Sequence, residues 1–248
     1  MRALKEAVGE KNYIGLDSSI ASIKLDQKQG SSVHIYNRTR FNLISCDSLK
    51  SIVLSRYIER CNKNALNNIA QYEYQNEYVR FIDEQTYQFI ATHAQRDVFL
   101  RQREMLNWIL QYPFFIGTHK DYKAKKDVCE FGCHREVYNL DAIKVIVANE
   151  IVGFYLISQT NKERVLRYLY YDEMHQNEVF ASVVLNLLKS GIEIIRFISD
   201  ELQEFMHQHG IKHLNRKSYT DEIALTLPPG MKVNPNLHIQ GGDGDMFC

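Results

Sequence analysis

The sequence predicts an α+β fold, and three observations carry that expectation. Residues 142–173, AIKVIVANEIVGFYLISQTNKERVLRYLYYDE, read as two or three antiparallel strands with hairpins at Ala148-Asn149-Glu150 and near Thr160-Asn161. Segments on either side repeat apolar residues three and four apart, the spacing of amphipathic helices. A strand, short helix, glycine, strand layout also occurs twice in the chain.

Taken in order, residues 4–8 are too short for an independent helix and read as the tail of one. NYIGLDSS is a short strand ending in Asp17 and Ser18, natural helix starters. A helix over 20–30 carries Ile20 and Ile23 and closes at Gly30. SSVHIYNRTRFNLISC alternates as a strand with Val33, Ile35, Phe41 and Leu43 inward. Residues 48–72 are helical by Leu49, Ile52, Val53, Tyr57 and Ile58, and the polar run NKNALNNIAQYEYQNEY is read as a linker.

A strand YVRFI follows, then helices over 84–93 and 96–110, the latter carrying Phe99, Leu100, Met105, Trp108 and Ile109 and stopped by Pro113. Residues 117–140 are polar and aperiodic, a surface loop. After the meander come a helix over 177–188, with Gly191 past its end, a strand over 192–198, a helix over 200–209 and Gly210. The tail holds Pro228, Pro229, Pro235 and GGDGDMFC.

A chain of 248 residues can bury one large core or two smaller ones. Lys and Arg number 30, as do Asp and Glu, so no global field draws in nucleic acid or an anionic membrane, and neither is expected as a partner. The first ten residues are charged and lack the apolar core of a signal peptide. Five irregularly spaced cysteines describe no disulfide framework, which makes a reducing, cytoplasmic location the expectation.

The two similar layouts are NYIGLDSSIASIKLDQKQGSSVHIYNRTRF and IEIIRFISDELQEFMHQHGIKHLNRKSYT. Ile14 corresponds to Ile194 and Gly30 to Gly210 at the same offset of 180 residues, and an Asn-Arg pair follows each glycine, at Asn37-Arg38 and Asn215-Arg216. The expectation is two copies of one fold, with residues 1–75 a partial copy plus linker helix and 76–248 a fuller one. The first copy is either truncated, the favoured reading, or degenerate.

This layout resembles the C-terminal part of the GNAT superfamily of acyl-CoA-dependent acyltransferases, most clearly in IGLDSSIASIKLDQKQG. Asp26 and Ser31 stand where the family usually has Tyr and Phe. The resemblance implies a central mixed, mostly antiparallel sheet flanked by helices, preceded by a partial copy of the same fold. It also implies transfer of an acyl group from acetyl-CoA or another acyl-CoA to a small-molecule or peptide amine, and it leaves room for a homodimer. The alternative is an inactive domain of that fold serving protein–protein interaction or substrate recognition.

The family's diphosphate-binding turn corresponds to YYDEMHQNEVFAS, which places cofactor contacts at Met174, Gln176 and Asn177. That turn holds no glycine and carries Asp172, Glu173 and Glu178, acidic groups that oppose a polyanion. The family's acidic tyrosine has no clean counterpart, since Asp26 replaces it in the first copy and Met206 lies near it in the second. Glu173 and His175, at the end of a central strand, are the candidate proton acceptors for an amine. Of Tyr170 and Tyr171, alternation lets one face a cleft, and Tyr171 is the catalytic candidate.

Other constellations favour plain readings. Cys129, Cys133 and His134, with His119 as a candidate fourth ligand, are expected to be unpaired loop residues, and no metal is expected. His207, His209 and His213 surround Gly210, where a histidine suits a helix C-terminus. Lys120, Lys123, Lys125 and Lys126 form a solvated run, and Asp243 and Asp245 a turn.

Overall fold

The fold was analysed in a computed structural model, which describes residues 15–17, 32–44, 52–95, 97, 101–111, 138–160, 162–189, 192–212, 216–227, 238 and 240–242. Numbered among these residues, the strands are β1 (Gly15–Asp17), β2 (Ser32–Ile44), β3 (Gln75–Val79), β4 (Tyr138–Val147), β5 (Glu150–Thr160), β6 (Glu163–Tyr171), β7 (Ile194–Phe197) and β8 (Arg216–Leu227). The helices are α1 (Ile52–Ile69), α2 (Glu84–His93), α3 (Arg103–Gln111), α4 (Gln176–Leu187) and α5 (Asp200–Gln208), with a 3-10 turn at Glu173–His175. Two compact units result, residues 1–40 with 219–237 and residues 41–218 with 238–248.

In the smaller unit the strand order is β1–β8–β2, with Gly15 antiparallel to Thr226 and Asp17 to Ala224. In the larger unit it is β2–β7–β6–β5–β4–β3, a mixed and mostly antiparallel sheet. The β6–β7 pair alone is parallel there among the described strands; β2–β7 is antiparallel, with Phe41 opposite Phe197. The fold class expected from the sequence is therefore present: an α+β arrangement with a flanked, mostly antiparallel sheet.

The meander forms because each turn signal works. Ala148 and Asn149 take positive φ of 49° and 67°, the two-residue turn whose twist matches a β4–β5 hairpin. β5 lies between β4 and β6, and its alternating side chains feed two cores. Val152, Tyr155 and Ile157 join Ala65, Ile69, Val179, Val183, Phe205 and Met206 from α1, α4 and α5. Phe154 and Leu156 join Ile90, Leu106 and Ile109 from α2 and α3. Helices thus cover both faces of the larger unit's sheet.

Several boundaries differ from the sequence reading. The polar run taken for a linker carries the second half of α1, where Ala65 and Ile69 are buried one turn apart, and then β3. That strand is Gln75–Val79 instead of 78–82, because the Ile82 backbone is held by a side chain: its N–H donates to Asn107 Oδ1 at 2.6 Å and its carbonyl accepts from Asn107 Nδ2 at 3.0 Å. α3 begins at Arg103 instead of residue 96, Asp97 being engaged in a parallel bridge with His238. It buries Leu106 and Ile109 and leaves Met105 and Trp108 largely exposed.

The strand, helix and glycine near the C-terminus are as expected, with Gly210 at φ 74° and His209 capping α5 by a 2.9 Å hydrogen bond between its Nδ1 and Phe205 O. The expected helices over 4–8 and 20–30, Pro113, the Cys129, Cys133, His134 and His119 group, the lysine run, Gly191, His213, Asp243 and Asp245 lie outside the described residues. Among the described residues no cluster of metal-ligating side chains occurs, and no helix is long and apolar enough to cross a membrane.

Candidate functional site

The site is built on β6 and on the turn that follows it. β6 pairs with β7 only through its first three residues, Glu163 with Ile194, Arg164 with Ile195 and Val165 with Arg196. Beyond them the register to β5 jumps from Ile157–Leu166 to Leu156–Tyr168, so Arg167 is the extra residue of a β-bulge. From Leu166 onward β6 is not paired with β7, and its backbone groups facing away from β5 turn to other partners.

That edge is bonded by another part of the same chain. Leu169 N–H donates to Gln240 Oε1 at 3.3 Å, and Gln240 Nε2 donates to Leu169 O at 3.2 Å. Gly242 N–H donates to Arg167 O at 2.7 Å. In an antiparallel ladder both backbone groups of one residue face the same neighbour, so Leu169 faces away from β5. The Gln240 side-chain amide thereby does what a neighbouring peptide group would do.

Polar side chains gather around this edge, mostly buried apart from the exposed His238. The Asp97 carboxylate accepts from His238 Nδ1 at 3.1 Å and from Gln240 Nε2 at 3.3 and 3.4 Å. Arg101 donates to the Tyr168 hydroxyl and to Gly242 O at 3.4 Å, and its guanidinium lies 5.5 Å from the Tyr168 ring centre. Arg167, buried, donates through Nε to Ser158 Oγ at 2.8 Å. Sequence reading missed Asp97, Arg101, Arg167 and Gln240, and took Gly241-Gly242 for part of a flexible or strand-flanking turn. The available signal was the Gly-Gly pair itself, since glycines in tandem permit close backbone approach.

The predicted residues sit at the far end of β6. Tyr171 pairs with Gly153 and packs edge-on against Phe180, with ring centres 5.0 Å apart, while Tyr170 belongs to the core on the opposite face. Asp172 caps the 3-10 turn, its carboxylate accepting from Met174 N–H at 2.9 Å and its carbonyl from His175 N–H at 3.0 Å. Glu173 and Met174 are exposed, and His175 Nδ1 lies 4.0 Å from Glu178 Oε2. α4 then opens at Gln176 and Asn177, and its N-cap, His175, makes no side-chain capping bond.

This donor set meets the two parts of an acyl-CoA differently. The edge carries one N–H and two carbonyls, the groups that an extended, amide-bearing chain such as a pantetheine arm would need, and all three are bonded to Gln240 and Gly242 in this structure. The turn does not suit a diphosphate: it has no glycine, Met174 N–H is bonded to Asp172, and Glu173 and Glu178 add negative charge.

No protein-family profile matches the chain, and no curated protein does. Solved structures similar to it include a GCN5-related N-acetyltransferase from Anabaena variabilis, at 11% identity and a TM-score of 0.47, covering 90% of this chain and 48% of that one. Another is a GCN5-related N-acetyltransferase-like protein from Streptococcus suis, at 12% identity and a TM-score of 0.41, covering 91% of this chain and 76% of that one. A functionally unknown conserved protein from Staphylococcus epidermidis has 10% identity and a TM-score of 0.44, covering 91% of this chain and 76% of that one.

Proposed function

We propose that the larger unit is an acyl-transfer module of the GNAT kind, taking an acyl group from acetyl-CoA or another acyl-CoA to a small-molecule or peptide amine. The observation that carries this reading is the β6 edge, which parts from a parallel β7 after three pairs and there has amide-matching groups at Arg167 and Leu169, bonded in this structure to Gly242 and Gln240. When bound, acyl-CoA supplies a thioester carbonyl that an amine attacks, with C–N bond formation, C–S cleavage and release of the thiol. Glu173 or His175 would accept the one proton lost by the amine, directly or through water. Tyr171 would donate a proton to the leaving thiolate and be reprotonated with the one taken from the amine. Gln176 and Asn177 would offer the amides that open α4, and Met174 would meet the donor.

A second reading is a domain of this fold that does no chemistry and recognises a protein partner. It is favoured by the acidic turn after β6 and by the edge already bonded within the chain.

Calorimetric titration of the folded chain with acetyl-CoA separates the two. Saturable one-to-one binding in the micromolar range is expected, after which Glu173→Gln and His175→Ala should each lower turnover about 100-fold with little change in affinity. Absence of heat at high acetyl-CoA concentration, with the protein shown to be folded, overturns the enzymatic reading.

A further inference from the structure

We propose that residues 240–242 form an autoinhibitory strap, holding the β6 edge in the place of an acyl-CoA arm until ligand displaces them; this rests on the acyl-CoA reading above. The strap uses the groups that an extended ligand would need. Leu169 N–H and Leu169 O are both taken by the amide of Gln240, and Arg167 O by Gly242 N–H. A side-chain amide offers one acceptor and one donor, as the secondary amide of a bound chain does, so exchange of one for the other replaces like with like.

The manner of attachment supports reversible closure. A strand added permanently to a sheet brings side chains that bury apolar surface on both faces. Here Gly241 and Gly242 bring none: Gln240 and both glycines are buried, but they are held by hydrogen bonds to Asp97, Arg101 and β6 and by backbone packing of Gly242 on the Tyr168 ring. The glycines are required by proximity. A Cβ on Gly241 would lie 2.4 Å from Leu166 O, and one on Gly242 would lie 2.5 Å from the Tyr168 ring. The strap therefore seats closely through backbone and side-chain amide groups, with no aliphatic side chain of its own at residues 240–242.

Two variants open it without touching β6 or the residues assigned to chemistry. Gly241→Val drives the strap off Leu166 by steric overlap. Gln240→Glu keeps the side-chain volume, removes the donor to Leu169 O and sets a second carboxylate against Asp97. If the strap keeps the edge free in only about 1–10% of molecules, opening it tightens apparent affinity about 10- to 100-fold.

The experiment is calorimetric titration of wild type and both variants with acetyl-CoA, together with amide exchange at Gly242 and Leu169. Tighter binding by the variants is expected. In wild type, saturating acetyl-CoA should deprotect the Gly242 amide while the Leu169 amide stays protected. If wild type binds and folded variants bind no tighter, or Gly242 stays protected at saturation, the strap is a fixed edge cap and the proposal is overturned while the acyl-CoA reading stands. If neither wild type nor a folded variant binds, the acyl-CoA reading falls and the strap's proposed role falls with it. Gln240→Glu decides alone should Gly241→Val not fold.

Discussion

At the scale of the residue, Tyr155 shows how a polar group earns a place in this core. Its hydroxyl lies 2.7 Å from Ser182 Oγ and accepts from Asn186 Nδ2 at 2.7 Å, while Ser182 Oγ donates to Asn76 Oδ1 and Tyr78 OH to Asn186 Oδ1. Burial pushes the phenol's pKa far up, so it stays neutral and available for hydrogen bonding. Tyr155→Phe should lower stability by about 1–3 kcal/mol in denaturant unfolding, since Ser182 and Asn186 lose a partner in a dry site; an unchanged midpoint would refute this. Asp83 caps α2, accepting from Thr86 N–H at 2.7 Å, and hydrogen bonding from Thr86 holds its carboxyl below the ordinary value of 3.8. A depressed carboxylate contributes above its unfolded pKa and loses that contribution as pH falls through the folded one. Asp83→Ala should therefore cost about 1 kcal/mol near neutral pH, with the gap to wild type narrowing below 3.8, as urea unfolding at a series of pH values would record.

At the scale of the element, β5 and α4 meet without an intervening side chain at Gly153. A Cβ there would lie 2.6 Å from Val179 Cγ2, and Val179 is fully buried. Gly153→Ala should destabilise the protein by about 1–3 kcal/mol and shift the near-ultraviolet signal of Tyr171, whose backbone pairs with Gly153. Retention of wild-type stability would mean that α4 moves away freely. The same contact explains why the α4 start, with His175, Gln176 and Asn177, is tied to the end of β6. α4 itself was legible because Val179, Phe180, Val183, Val184 and Leu187 repeat at helical spacing. The start of α3 was not, because Asp97 bonds His238 and no local pattern announces a partner so distant in sequence.

At the scale of the whole molecule, the larger unit is organised around β5 and β6, with β3 at its sheet edge. Amide exchange should be slowest at Tyr155 and Ile157 in β5 and fastest among the paired strands at β3, whose first four residues are exposed; equal protection in β3 and β5 would contradict this order. The sequence by itself determined the α+β class, the meander with its Ala148-Asn149 turn, the helix over 84–93, the helix read as 200–209 to within one residue and the glycine at 210, because periodicity, caps and turn residues act within a few positions of one another. Only the tertiary structure decided that β6 leaves β7 after Val165, that Arg167 bulges, and that Gln240 and Gly242 bond the edge so exposed. Those facts depend on contacts between residues some 70 positions apart, the Leu169 backbone with the Gln240 side-chain amide among them, and no local pattern marks a partner so distant in sequence.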